Sequence, residues 1–93
     1  MIDVYNHGDV VVMTYNDDEG GLYKENTIYE VADYGFKMCD EDYFSIRIKV
    51  SELDYEEYQC PISFIRHATK REQFLYELFG PEALIGKQEK EIN

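Results

Sequence analysis

Hydrophobic and polar positions alternate most regularly over "YFSIRIKV", Tyr43 to Val50, with Phe44, Ile46, Ile48 and Val50 on one side and Ser45, Arg47 and Lys49 on the other. Side chains of an extended chain point to opposite faces in turn, so this period of two predicts a strand with one buried face. "GDVVVMTY", Gly8 to Tyr15, follows a turn-forming Asn-His-Gly with a β-branched run and predicts a second strand. In "NTIYEVADY", Asn26 to Tyr34, one face carries Ile28, Glu30, Ala32 and Tyr34 and the other Thr27, Tyr29, Val31 and Asp33. Neither face is cleanly apolar, which suits a strand in a small, strongly curved sheet covered in part on both sides.

Gly35 is expected to open a tight link to "FKMC", where Phe36 and Met38 share a face, and Asp40 to Asp42 to form the next turn. "SELDYEEYQC" breaks the alternation, and "PISFIRH" predicts a short strand that Pro61 confines to a strand start or an edge. The period then changes. Thr69 stands three residues before Glu72, the capping-box spacing, and Phe74, Leu75, Leu78 and Phe79 recur at helical intervals before Gly80-Pro81. An amphipathic helix over Lys70 to Phe79, packed on the sheet, is the expectation, with one further turn begun by Pro81. The pattern therefore predicts about five short strands and then a helix, one β-rich domain over residues 1–86 with a frayed polar tail at 87–93.

Composition narrows the picture. Ninety-three residues suffice for a single domain with a modest core, and 44% apolar with 15% aromatic residues is too much for a disordered acidic tail. The formal net charge of −11 argues against direct contact with nucleic acid or an anionic membrane, since phosphate binding relies on clustered Lys and Arg. No cationic leader with an apolar segment and no apolar run near the ~18 residues of a membrane span is present, so a cytoplasmic location is expected. There Cys39 and Cys60 would stay reduced. The charge is unevenly placed: residues 1–57 hold 15 acids against four bases, and residues 58–93 hold five of each.

Candidate chemistry is sparse. The nearest EF-hand window, starting at Asn16, has Gly20 at the fifth ligand position and Thr27 where the bidentate Glu belongs. His7, Cys39, Cys60 and His67 make a zinc set by count, but they lack the closely spaced pairs of structural sites. Cys60 and His67 come without a Gly-rich oxyanion loop or a third orienting residue. No metal, no cofactor and no enzymatic activity are expected.

The tyrosines and acids carry more. The chain has nine Tyr and no Trp, and Tyr is enriched at interfaces because its ring buries area at low entropic cost. Tyr29 and Tyr43 are expected in packing, whereas Tyr55 and Tyr58, in "LDYEEYQ" where no regular element is evident, suit an interface equally well. The acids gather at expected loops: Asp17, Asp18 and Glu19; Asp40, Glu41 and Asp42; Asp54, Glu56 and Glu57.

"HGDVVVMTY", "GGLYKENTIYEVAD" and the closing "IRHATKREQFLYELF" together resemble small phage-encoded proteins with an SH3-like barrel and a short C-terminal helix. Gly8, Asp9, Gly21, Tyr29 and Val31 match as fold-forming positions. The resemblance implies a mainly β, α+β fold, a single small SH3-like, partly open barrel of about five antiparallel strands followed by one C-terminal amphipathic helix, and a role in binding rather than catalysis. The expected function is an acidic protein-binding module, an inhibitor or regulator that mimics nucleic acid on the basic groove of a nucleic-acid-handling protein. Its field would come from the nine acids just named, and its anchors would be Tyr23, Tyr55 and Tyr58. The alternative is an accessory or assembly module whose acids serve solubility and whose contacts run through the helix or a sheet edge.

Overall fold

The computed structural model describes residues 5–16 and 23–85. The acids 17–19 and the tail 87–93 lie outside the described residues. Five strands, β1 (Val10–Met13), β2 (Ile28–Met38), β3 (Glu41–Lys49), β4 (Tyr55–Pro61) and β5 (Ile65–His67), precede the helix α1 (Lys70–Phe79), and a single 3-10 turn (Ile62–Phe64) joins β4 to β5. All pairings are antiparallel, in the order β4-β3-β2-β1-β5. The result is an open five-stranded antiparallel sheet followed by one C-terminal helix, a small α+β domain of the expected class. Among the described residues no helix is long and apolar enough to cross a membrane.

The sheet buries both faces, as the mixed pattern of Asn26 to Tyr34 foreshadowed. On the inner face Val11, Met13, Tyr29, Val31, Phe44, Ile46, Cys60 and Ile65, drawn from all five strands, form one core with Tyr5. On the outer face Val12 and Ile28 pack with Ala68 and Ala83, flanked by Leu75 and Tyr76 of α1. Ile28 and Tyr29 are therefore both buried although adjacent.

Several expectations shift by identifiable causes. The first strand shortens to Val10–Met13 because Gly8, at φ +91°, and the Asp9 N–H to Asn6 carbonyl bond hold the preceding residues in a turn. Gly35 is no link: β2 runs through it to Met38. A Cβ there would sit 3.0 Å from the Tyr43 carbonyl oxygen, and the register slips on both sides of Tyr34, so glycine marks a close approach in a bulged strand. The turn falls at Cys39 and Asp40, both left-handed at φ 54° and 67°, the geometry of a two-residue hairpin. Glu41 and Asp42 already belong to β3, and Val50, expected inside, lies beyond its end and is 51% exposed.

"SELDYEEYQC", read as irregular, contains all but the last residue of β4. An edge strand buries little: inward Tyr58 is half-buried and Cys60 fully buried, and the remaining positions carry exposed polar groups that hide the period of two. "PISFIRH" divides into the 3-10 turn and a strand of three residues. The helix spans the expected residues, with both bonds of the capping box between Thr69 and Glu72. Its packing face differs. Phe74 and Leu78 are 59% and 58% exposed, while Leu75 and Tyr76 meet the sheet, because the apolar strip offered by Val10, Val12 and Ile28 is only one side chain wide before Glu30 intervenes.

Candidate functional site

β3 separates the two described acidic groups. Its nine residues run from Glu41 to Lys49, about 26 Å at ~3.3 Å per residue. Asp40, Glu41 and Asp42 stand at one end. Asp40 is exposed, but the Glu41 Oε2 accepts the Ser63 N–H at 3.1 Å. The Asp42 side chain is 9% exposed, accepting the Tyr34 hydroxyl at 2.9 Å with the Lys37 Nζ at 3.8 Å. That carboxylate raises the Tyr34 phenol above its ordinary range by holding its proton. Asp42 therefore joins the hairpin together rather than facing outward.

At the other end the chain turns and returns as an edge. The Asp54 carbonyl accepts the Val50 and Ser51 N–H groups, and its carboxylate accepts the Ser51 hydroxyl. β4 then distributes the remaining residues over two faces. Glu56 lies opposite Ile48 and Tyr58 opposite Ile46, on the core side, where the Tyr58 hydroxyl donates to Glu56 at 2.7 Å and its pKa rises for that reason first. Tyr55 and Glu57 lie on the outer side, opposite Lys49 and Arg47. The Arg47 guanidinium stacks on the Tyr55 ring at 4.6 Å and donates to Glu30 at 3.1 Å, and the Tyr76 hydroxyl donates to the same carboxylate at 2.6 Å. Burial and then the Glu30 bond push the Tyr76 phenol up. The Arg47 Nε is buried without a hydrogen-bond partner.

Tyr23 serves a different end. Its hydroxyl donates to the Gln59 carbonyl at 2.6 Å, and its ring meets Phe64 edge-on at 5.6 Å. It braces β4 against the segment before β5. The structure thus brings Asp54, Tyr55, Glu56, Glu57 and Tyr58 into one stretch, with Tyr23 at its far end, and sets Asp40, Glu41 and Asp42 apart.

The sequence reading missed Glu52, exposed beside that stretch, and the Glu30–Arg47–Tyr76 network behind it. A Tyr and a Glu at cross-strand positions of an Arg are recognisable only once the register is known. Among the described residues three ion pairs form, Lys37–Asp42, Arg47–Glu30 and Arg66–Glu72. Glu52, Asp54, Glu56 and Glu57 take part in none of them.

Among the described residues no three His, Cys, Asp or Glu side chains converge as metal ligands. Cys60 is buried in the core, where desolvation pushes its thiol up to about 12, and Cys39 is exposed at the hairpin turn. His7 donates through Nδ1 to the Ala32 carbonyl at 2.6 Å, and His67 lies against the Tyr5 ring at 4.3 Å. A depression of about 440 Å³ opens near the start of β4, lined in part by Lys24, Tyr29, Ile48, Lys49, Glu56 and Tyr58. Burial raises the Tyr29 phenol to about 12, so it stays a neutral hydroxyl at neutral pH.

The fold is that of a small α+β domain, and the chain that builds it is acidic. The chain matches no family model, no curated protein and no solved structure.

Proposed function

We propose that this chain is a small cytoplasmic protein-binding module, an inhibitor or regulator that presents carboxylates in place of phosphates to the basic groove of a nucleic-acid-handling protein. The observation that carries it is the loop and edge strand from Glu52 to Glu57, four exposed carboxylates outside any described ion pair, held on a hydrogen-bonded strand. Glu52 and Asp54 stand in the loop and Glu56 and Glu57 on the two faces of the strand that follows, so the four charges gather at one end of the sheet edge.

Affinity capture from a bacterial lysate tests this, with the chain as bait beside a variant carrying Glu52→Lys, Asp54→Lys, Glu56→Lys and Glu57→Lys. A nucleic-acid-binding protein should be retained at low salt, displaced by single-stranded DNA and by ~0.5 M salt, where the Debye length is about 4 Å, and ignored by the variant. Retention of the same partner by the variant would refute the reading. A second reading, an assembly module working through its helix, is favoured by exposed Phe74 and Leu78 on one side of α1. Its partner would survive high salt and be lost on Phe74→Ser with Leu78→Ser.

A further inference from the structure

An open sheet has two edges, and this protein treats them differently. On β5 the Thr14 N–H bonds the Phe64 carbonyl and the Ala68 N–H bonds the Val10 carbonyl. By the alternation of an antiparallel ladder, Phe64, Arg66 and Ala68 then face β1, and Ile65 and His67 point their backbone groups outward. Both outward carbonyls are covered by side chains. Ile65 accepts the Tyr5 hydroxyl at 3.3 Å, and His67 accepts the Arg66 guanidinium at 3.1 Å.

The phase of β4 follows in the same way. The Val50 N–H donates to the Asp54 carbonyl directly opposite, which marks 50 and 54 as a hydrogen-bonded position of the ladder, and by alternation Glu56, Tyr58 and Cys60 direct their backbone groups to β3. Tyr55, Glu57 and Gln59 must direct theirs away from the sheet. The Tyr23 hydroxyl on the Gln59 carbonyl bears this out independently. Tyr55 and Glu57 remain: among the described residues neither their N–H nor their C=O groups meet a partner, and both residues are exposed.

A bare edge is a template for another strand. Charge decides which. A second copy laid antiparallel on the same stretch would bring Glu56 and Glu57 against their own counterparts, which repels. A strand carrying cations on both faces meets the opposite situation: Glu57 beside Tyr55 on the outer face, Glu56 on the inner, and Asp54 at the entrance. The outer face already shows a guanidinium accommodated on the Tyr55 ring, that of Arg47.

We propose that Tyr55 to Glu57 is a strand-addition site for an extended segment of a partner protein with Lys or Arg at consecutive positions. The proposal rests on the acidic docking described above and specifies how the partner attaches, by backbone pairing rather than by surface charge alone. Among the described residues the outward carbonyls of Gln59, Ile65 and His67 are closed by side chains, which makes the site short and fixes its position.

The probe is a capped nine-residue peptide with a central Arg-Lys-Arg flanked by Val and Thr, compared with the same peptide N-methylated at its three central residues. N-methylation keeps the charge and removes the backbone donors on both edges of the peptide. Binding is read at low salt by backbone amide NMR of the intact chain. The unmodified peptide should shift the Tyr55 and Glu57 amides, slow their hydrogen exchange at least tenfold at saturation, and bind at least tenfold more tightly than the methylated one. Both peptides binding equally, and both failing on Glu56→Lys with Glu57→Lys, would overturn strand addition while leaving acidic docking intact. Failure of both peptides to bind the wild-type chain at all would overturn both, and shifts confined to residues outside 54–59 would overturn the site.

Discussion

Cys39 and Cys60 show how far identical side chains can diverge. Cys60 is buried in the inner core and its thiol is pushed up to about 12 by desolvation, with Glu41 adding in the same direction, whereas Cys39 sits exposed at the left-handed hairpin turn. The thiolate is the reactive form, so iodoacetamide at pH 8 should modify Cys39 and leave Cys60 intact until urea unfolds the chain, as peptide mass spectrometry would show. Equal labelling of both in the native state would contradict the packing of β4 on the core. Nothing in the sequence separates the two thiols. Asp42 is similar: "DED" reads as three equivalent turn acids, but strand entry after Asp40 turns Asp42 toward Tyr34 and Lys37 and buries it.

At the scale of the element, α1 was fully legible at its ends and misread on its face. Thr69, Glu72 and Gly80 specify start and stop through local hydrogen bonds, which is why Lys70 to Phe79 follows from the sequence alone. Which side packs depends on the sheet, and the narrow apolar strip selects Leu75 and Tyr76 over Phe74 and Leu78. The helix start also titrates. The bidentate Arg66 guanidinium first, then the Thr69 backbone N–H, hold Glu72 down from its ordinary 4.5 to about 2 against a smaller opposing effect of burial. A carboxylate depressed in the folded state stabilises fully above its unfolded pKa, and that contribution fades as pH falls from about 4.5 toward about 2. Urea midpoints of the wild type should therefore drop more across that window than those of Glu72→Gln. At neutral pH Thr69→Ala should cost about 1 kcal/mol through the lost cap. Parallel pH curves for wild type and Glu72→Gln would show that the Arg66 pair carries no net stability.

For the whole molecule the governing quantity is the net charge of −11, 20 acids against nine bases. Uncompensated like charge destabilises a folded chain, and salt relieves it. The midpoint of thermal unfolding should rise on going from 10 mM to ~0.5 M NaCl, by about 4 °C or more if ~1 kcal/mol of repulsion is screened in a domain of this size. The fourfold charge-reversed chain should show little of that rise; an equal rise in both would place the repulsion elsewhere. The sequence by itself determined four of the five strands in outline, the helix and its caps, cover on both faces of β2, and the acidic character of the first 57 residues, because these depend on period, local hydrogen bonding and composition. Only the tertiary structure decided which acids stand together. β3 sets "DED" at one end and the loop that opens "ELDYEE" at the other, and its register divides the second group between two faces and leaves Tyr55 and Glu57 at an uncovered edge. Register and edge position arise from pairing between segments distant in the chain, and no local pattern encodes them.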